Sequence, residues 1–581
     1  MAQITSDRIV QSKLSLKEVQ NNVYLSTFLL GRLLQHKDKQ LIVDCLTGCQ
    51  WTGKELYEVC LSLADAFINE FDLNIGDTVC FWCPNSDVHS IAFLATIVSG
   101  ATYVAIDLNY SLNDIRRVIK LSSAKFLICL SDNSRQALTL LKESTTLKHL
   151  FIIDGNTDDC VYEQINCNFL MQFMRYKYKP EADSLTKPVP IPVPVAATDI
   201  CCMHFVKQTR DGVPNQLIPI IRTNANLIQS ASQLHDSQIL ALTDDDCIVG
   251  QHFADYLGVV LFCHTLVSGT KIAFTNSYFT RQKALGFVGK YRITCASIDL
   301  SELLYMLRND VDIHNYSKSS IDFSSLTDIL HTGSPLPHSD CIVEEVFKKL
   351  CPKYFRSIYG TPETGVISCK WRVMATECVY VCPTSYFSVG YPVPGVQIKV
   401  IHPQTEKPRM ANKIGEICVK SAQTIDKTRN LSVVTRNAFT IDGFYKTGDA
   451  GYYDSDGQLY VECRVNELIY EGQDVVNPQN IERLFKQHYA VKEAVVIGVD
   501  NTCGGQESDG QICCAFVELA NKHTVVTGQT LKEFVATKGR ELKGDVIFID
   551  EIPLTYRSQV NRMALRVIYN NLHTYSLIEM L

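Results

Sequence analysis

Residues 78–107 read "TVCFWCPNSDVHSIAFLATIVSGATYVAID". "TVCFWCPN" (78–85) and "ATYVAID" (101–107) are short β-branched and aromatic runs, the composition of buried strands. Between them "SDVHSIAFLATIVSG" carries helical periodicity. A further pair comes next, "SLNDIRRVIKLSS" as helix and "KFLICLS" (125–131) as strand. Strand and helix in alternation predict parallel sheets with crossover helices.

Outward from that unit the texture changes twice. "TKPVPIPVPVAATD" (186–199) lacks the backbone donors of a central strand and reads as an extended connector. "GFYKTGDAGYYDSDGQLYVECR" (443–464) is a turn-rich β-meander, and "NPQNIERLFKQ", "KEAVVIGVD" and "QICCAFVEL" then form a small α+β unit. The boundary falls near Cys463 and Arg464, giving a large unit over 1–463 and a small one over 464–581. At 581 residues the chain exceeds what one core supports.

Bulk properties exclude several classes. Hydrophobic content of 46% and charged content of 20% describe an ordinary globular protein, and a net charge of -7 offers no basic stripe for nucleic acid. The longest apolar run, "LGVVLFCHTLVSG" (257–269), is broken by His264 and falls short of the roughly 20 residues of a membrane-spanning helix. It reads as a buried core helix. The 23 cysteines are scattered without paired metal spacing, and the N-terminal stretch has no apolar signal region. The expected compartment is intracellular, the cytoplasm ahead of the peroxisome, because "LIEML" does not match a Ser-Lys-Leu address.

Singly, "YKTGD" (445–449) is a turn and "IYGTPETG" (358–365) a strand end. Their order carries more. "TGSPLP" at 332, "IYGTPETG" at 358, "SVGYPVPGVQIKVI" at 388, "GEICVKS" at 415, "GFYKTGD" at 443 and "LYVECRVNELI" at 459 follow one another in a sequence that resembles the adenylate-forming superfamily. These are the acyl-CoA synthetases, here of the firefly luciferase and 4-coumarate–CoA ligase branch. The resemblance extends from "NIGDTVCFWCPN" to "IDEIPLTYRSQVNRMALR".

It implies an α/β fold: a large N-terminal domain of stacked α/β sheets plus a β-barrel, and a small mobile α+β C-terminal domain. It implies ATP or AMP, magnesium and coenzyme A as ligands, and a small carboxylate or acyl-adenylate as partner. No protein partner is implied. By the same resemblance Tyr359 stacks on adenine, with Gly333 and Ser334 along it, and Asp449 and Arg464 take the ribose hydroxyls. Glu363 holds magnesium, a hard ion suited to carboxylate and phosphate oxygens. Gly472 sits in the hairpin that admits the thiol, with Gln473 beside it.

The phosphate half departs from the family pattern. "KQTRDGVPNQL" (207–217) stands where the family has a Gly- and hydroxyl-rich loop ending in Pro-Lys-Gly. Aligned on Gly212 and Pro214, the chain offers Thr209, Arg210 and Asp211 before the Gly, and Asn215 where the Lys belongs. Pro362 replaces a Thr beside Glu363. The C-terminal catalytic Lys falls on Gln559, with Arg557 and Arg562 able to substitute only if the loop shifts. Asp255 falls near the acyl pocket, or else begins a solvated helix. The expected protein binds nucleotide or acyl-adenylate but adenylates carboxylates poorly or not at all. The alternative is an active ATP-dependent carboxylate–CoA ligase with a rearranged phosphate site.

Overall fold

The structure is a computed structural model. It describes the chain except residues 1, 15–23, 155–166, 171–191, 211–212, 236–239, 241, 276–285, 301–302, 304–323, 334–335, 337–341, 374–386, 426–437, 473, 501–509, 522–524, 554–559 and 580–581. Two large sheets dominate. In the first, Thr102–Ala105, Thr78–Trp82, Phe126–Cys129, His149–Ile152 and Cys167–Phe169 run parallel, and the antiparallel pair Ile200–Arg210 and Val213–Thr223 closes one edge. In the second, Gln40–Asp44, Lys271–Phe274, Cys247–Val249, Cys295–Asp299, Asp328–Thr332 and Tyr354–Thr361 are parallel, with antiparallel strands at both ends.

Strand alternation decides how these sheets stack. Val79, Phe81, Tyr103, Ala105, Phe126 and Ile128 point into one core, while Cys80, Trp82, Val104, Leu127 and Cys129 point into another. The shared core holds helices Asp87–Val98 and Tyr256–Ser268, whose faces are apolar all round and almost wholly buried. His264 is buried in that second helix, as the apolar run requires. A helix lying between two sheets needs no polar face, which is why "IAFLATIV" and "LGVVLFC" carry none. Helices Leu112–Ser122 and Ile342–Leu350 cover the outer faces. Leu112–Ser122 starts on a capping box of Ser111 and Asp114.

Strands Ala2–Ile4, Ile9–Ser12, Gln397–Ile401, Gly415–Lys420, Tyr445–Tyr453 and Leu459–Arg464 make a third, antiparallel sheet. It curls strongly: a Cβ on Gly457, in the turn before the last strand, would lie 3.0 Å from that of Ala2 in the first. The last strand of this sheet ends at Arg464, and Cys463 is buried within it. Beyond Arg464 lies the small α+β unit, a three-stranded sheet with helices Pro478–Lys486 and Gly528–Thr537 over its own core. Asn477 caps the first of these helices and also donates to Glu462 at 2.9 Å, joining the unit to the curled sheet.

Candidate active site

Ligands of open α/β sheets sit at the carboxyl ends of parallel strands. Along that edge of the second sheet lie, strand by strand, Gln251, Asp299, Gly333 and the turn after Tyr359. Gly333 follows Asp328–Thr332 with φ of +88°, a backbone state that a side chain would strain. Ser334 lies outside the described residues.

Tyr359, Asp449 and Arg464 come together. The Tyr359 hydroxyl donates to Asp449 Oδ2 at 2.7 Å, and Arg464 Nη1 meets Asp449 Oδ1 at 2.9 Å. Tyr359 belongs to the second sheet and the other two to adjacent strands of the curled sheet, with Asp449 paired opposite Arg464. Burial pushes the Asp449 carboxyl up, against the opposing pull of the Arg464 guanidinium and the Tyr359 hydroxyl. Burial and the adjacent Asp449 together drive the Tyr359 phenol far above its ordinary range. Each carboxylate oxygen retains a further lone pair, so the cluster can accept two more donors such as adjacent hydroxyls. The Tyr359 ring is largely covered, 6% exposed.

Glu363 is buried beside this cluster and its charge acts on Arg464. Its turn is held from beneath by a residue that the sequence motifs do not mark. Arg222 is fully buried, donates to the carbonyls of Pro362 and Gln423, and lies 4.3 Å over the Tyr256 ring. Gln423 continues inward through Ser230 and Gln233. The available signal was a single Arg closing the apolar run "LIPIIR".

The segment aligned with the family's phosphate loop is built differently. Strand Ile200–Arg210 pairs with Val213–Thr223 up to Arg210↔Val213, so only Asp211 and Gly212 separate the paired residues. Thr209, Arg210 and Asn215 are therefore strand positions, where a phosphate cradle needs a loop of inward-pointing N–H groups. Their side chains, and Gly212, lie outside what is described. So do Gln559 and Arg557. Arg562 is engaged elsewhere, donating to Glu482 at 2.5 Å and to the Val496 carbonyl at 2.7 Å. Gly472, with φ of +64°, stands between the paired strands Ile469–Glu471 and Asp474–Val476, and Gln473 is outside the described residues.

Asp255 occupies the N-cap of Tyr256–Ser268 without making a capping hydrogen bond. It is exposed, yet burial is the main cause pushing its carboxyl up to about 6. Among the described residues no three His, Cys, Asp or Glu side chains group as a metal site, and no helix is long and apolar enough to cross a membrane. The described cysteines are free thiols and nearly all buried.

Comparison with known proteins agrees with this arrangement. The AMP-binding enzyme family matches residues 32–205 and 219–426. 4-Coumarate–CoA ligase 3 of Arabidopsis thaliana is 25% identical over 96% of this chain and 94% of its own. 4-Coumarate–CoA ligase 1 of Petroselinum crispum is 24% identical over 96% of each. Among solved structures, ATP-bound MatB from Rhodopseudomonas palustris superposes with a TM-score of 0.70 at 20% identity, covering 95% of this chain and all of that one. The luciferase-like enzyme of the nonluminescent Zophobas morio mealworm gives 0.63 at 19%, over 78% and 98%. These two likenesses concern the fold. With a family match over more than half its length, the chain belongs to the AMP-binding enzyme family, among relatives that are 4-coumarate–CoA ligases.

Proposed function

We propose that this acyl-CoA synthetase-like protein holds an adenine nucleotide or an acyl-adenylate by its nucleoside, and adenylates free carboxylates weakly or not at all. The observation that carries the reading is the Arg210↔Val213 pairing, which leaves two residues where the family places a phosphate-cradling loop. The family match itself passes over 206–218, the same segment. Asp449 and Arg464 bind ribose in this reading, and Tyr359 and Gly333 flank the base. Glu363 is the protein's ligand to magnesium, which then depends on phosphate oxygens for the rest of its shell. The magnesium, when bound, supplies charge neutralisation at the phosphates.

Magnitudes favour a large deficit. One preorganised donor lost from a developing oxyanion costs about 2.7–4 kcal/mol. Two lost lysines, at 215 and 559, therefore remove up to about 5–8 kcal/mol, or about 10⁴–10⁶ in rate, an upper range because groups on one transition state are not additive. The thioester half-reaction needs neither lysine, since pyrophosphate has already left. A synthetic acyl-adenylate plus coenzyme A is expected to turn over while ATP plus free acid is not. Robust ATP–pyrophosphate exchange across a panel of carboxylic acids would overturn the reading. It would favour the active-ligase alternative, for which the Thr361 and Thr364 hydroxyls, 3.0 Å apart around Pro362, are the supporting observation.

A further inference from the structure

A cavity of about 330 Å³ lies where the small α+β unit meets the curled sheet. Part of its lining is aliphatic. Ile414, just before the strand Gly415–Lys420, packs in one cluster with Tyr470 and Val475 from beyond Arg464. Val476 and Leu484 extend that lining from the core of the small unit. Ile414, Val475, Val476 and Leu484 are only half-buried, so aliphatic surface is left facing the cavity.

The charged part of the lining is cationic. Arg483 comes from the helix Pro478–Lys486, and Lys538 and Arg540 follow the helix Gly528–Thr537. Among the described residues that line the cavity there is no carboxylate. Two carboxylates outside the lining answer two of these charges. Glu471, with its side chain 7% exposed, pairs with Arg540 Nη2 at 2.7 Å. Glu462, also buried, accepts from Asn477 Nδ2 at 2.9 Å and from Asn480 Nδ2 at 3.3 Å, and the Arg483 charge acts on it. Asn480 in turn accepts from Arg483 Nη2 at 3.1 Å. Lys538 is different. It is exposed, leans over the Phe534 ring at 5.6 Å and makes no ion pair among the described residues.

This arrangement sets both the sign and the size of the charge that an occupant brings. Glu471 and Glu462 offset two of the three cations and leave one. The bonds to Glu471 and Asn480 hold the two guanidinium groups in place beforehand, which lowers the ordering cost of binding. A guanidinium carries five donors, more than Glu471 and the Cys513 thiol take from Arg540. A concave, largely aliphatic lining with a few convergent polar groups is the usual form of a small-ligand site, and this volume is at the small end.

We infer that this cavity takes a small carboxylate with an apolar body, its head at Lys538 and Arg540 and its body against Ile414, Val475 and Leu484. A neutral molecule leaves the Lys538 charge unanswered, and a dianion brings one charge more than the lining offsets. Because the lining comes from both sides of Arg464, the occupant touches both units. The inference does not depend on the nucleotide reading.

The test is calorimetry with 3-phenylpropionate, 3-phenylpropanol and phenyl phosphate, which present a carboxylate, a neutral head and a dianion. The wild type is expected to bind the propionate at least about fivefold more tightly than the alcohol, and no more weakly than the phosphate. Lys538→Glu should weaken the propionate at least about tenfold and leave the alcohol nearly unchanged. Ile414→Trp, which fills the cavity from the large unit, should weaken both. Lys538 is exposed, so Lys538→Glu should melt like wild type, and it carries the test if Ile414→Trp does not fold. An alcohol bound as tightly as the propionate, or propionate binding that Lys538→Glu leaves intact, overturns the inference. Phenyl phosphate bound about tenfold more tightly than the propionate overturns the carboxylate assignment. AMP is titrated in parallel; its failure to bind the wild type would overturn the nucleotide reading alone, whatever the propionate does.

Discussion

Tyr359, Asp449 and Arg464 form a connected cluster drawn from two sheets, whereas Ile200–Arg210 and Val213–Thr223 form an antiparallel strand pair at a sheet edge, with a register shift between Gln208 and Arg210. In the proposed reading both regions belong to the nucleotide site, and only the first keeps the groups that its chemistry requires. On that reading the difference is one between a half-site that is costly to lose and one that is cheap to lose. Asp449 and Arg464 are paired across strands of the curled sheet and Tyr359 bridges to the neighbouring sheet, so replacing any of them strands a buried partner. A phosphate loop, by contrast, contributes little to packing and can shorten into a turn without disturbing either core.

That contrast predicts that point substitution cannot rebuild the phosphate half. Asn215→Lys places a cation on a strand, where no N–H cradle accompanies it, and should raise ATP–pyrophosphate exchange by less than about tenfold. Replacing 207–216 with a Ser-Ser-Gly-Thr-Thr-Gly-Leu-Pro-Lys-Gly loop, together with Gln559→Lys, restores both backbone and charge. Exchange should then rise about 10²–10⁴-fold. If Asn215→Lys alone gives the larger gain, the hairpin is not what limits the reaction.

The nucleoside half can be weakened from beneath. Arg222→Met keeps the length of the side chain but strands the Pro362 and Gln423 carbonyls. Each stranded acceptor costs about 1–3 kcal/mol, offset in part because a charge no longer has to be buried. A net loss of about 2–3 kcal/mol should appear in urea unfolding, with nucleotide affinity falling as the Glu363 turn loosens. Unchanged stability and affinity would reduce Arg222 to a bystander.

A smaller effect, confined to the cluster, is expected of Asp449→Ala. It removes the acceptor for both ribose hydroxyls and should cost about 1.5–3 kcal/mol of affinity. AMP and ATP should weaken by the same factor in parallel titrations, because they share the ribose. Unequal losses would place Asp449 nearer the phosphates.

How far the sequence revealed these two regions depends on where each gets its structure. The β-α-β run at 78–107 was legible because a helix between two sheets must be apolar throughout and its strands β-branched. The 443–464 meander was legible from its turns. Tyr359, Asp449 and Arg464 were singled out by motif order, and the structure brings them together through bonds that were not foreseen. The strand pairing up to Arg210↔Val213 was missed because Gly212 and Pro214 were aligned to a loop. Pro214 and Pro219 did not forbid a strand there, since Val213–Thr223 is an edge strand whose outer donors need no partner. Arg222 was illegible as a supporting residue because its character depends on residues far away in sequence, Pro362 and Gln423.

The finest distinction between the two regions is the ratio of AMP to ATP affinity in the wild-type chain. With the ribose and base partners kept and the phosphate cradle gone, the two nucleotides should bind within about threefold of each other, about 0.6 kcal/mol. Two opposing charges bear on that ratio. Asp211 adds like charge near the polyphosphate and favours AMP, while Arg210 adds a cation one residue earlier and favours ATP. The two effects oppose each other and salt screens both, so raising it from about 0.05 to about 0.5 M should leave the ratio nearly unchanged. Calorimetry with magnesium at both salt levels makes the measurement. ATP binding tenfold more tightly than AMP, with the advantage eroding as salt rises, would mean that Arg210 or another cation has rebuilt a phosphate site on the hairpin, and the separation between the two halves would fail.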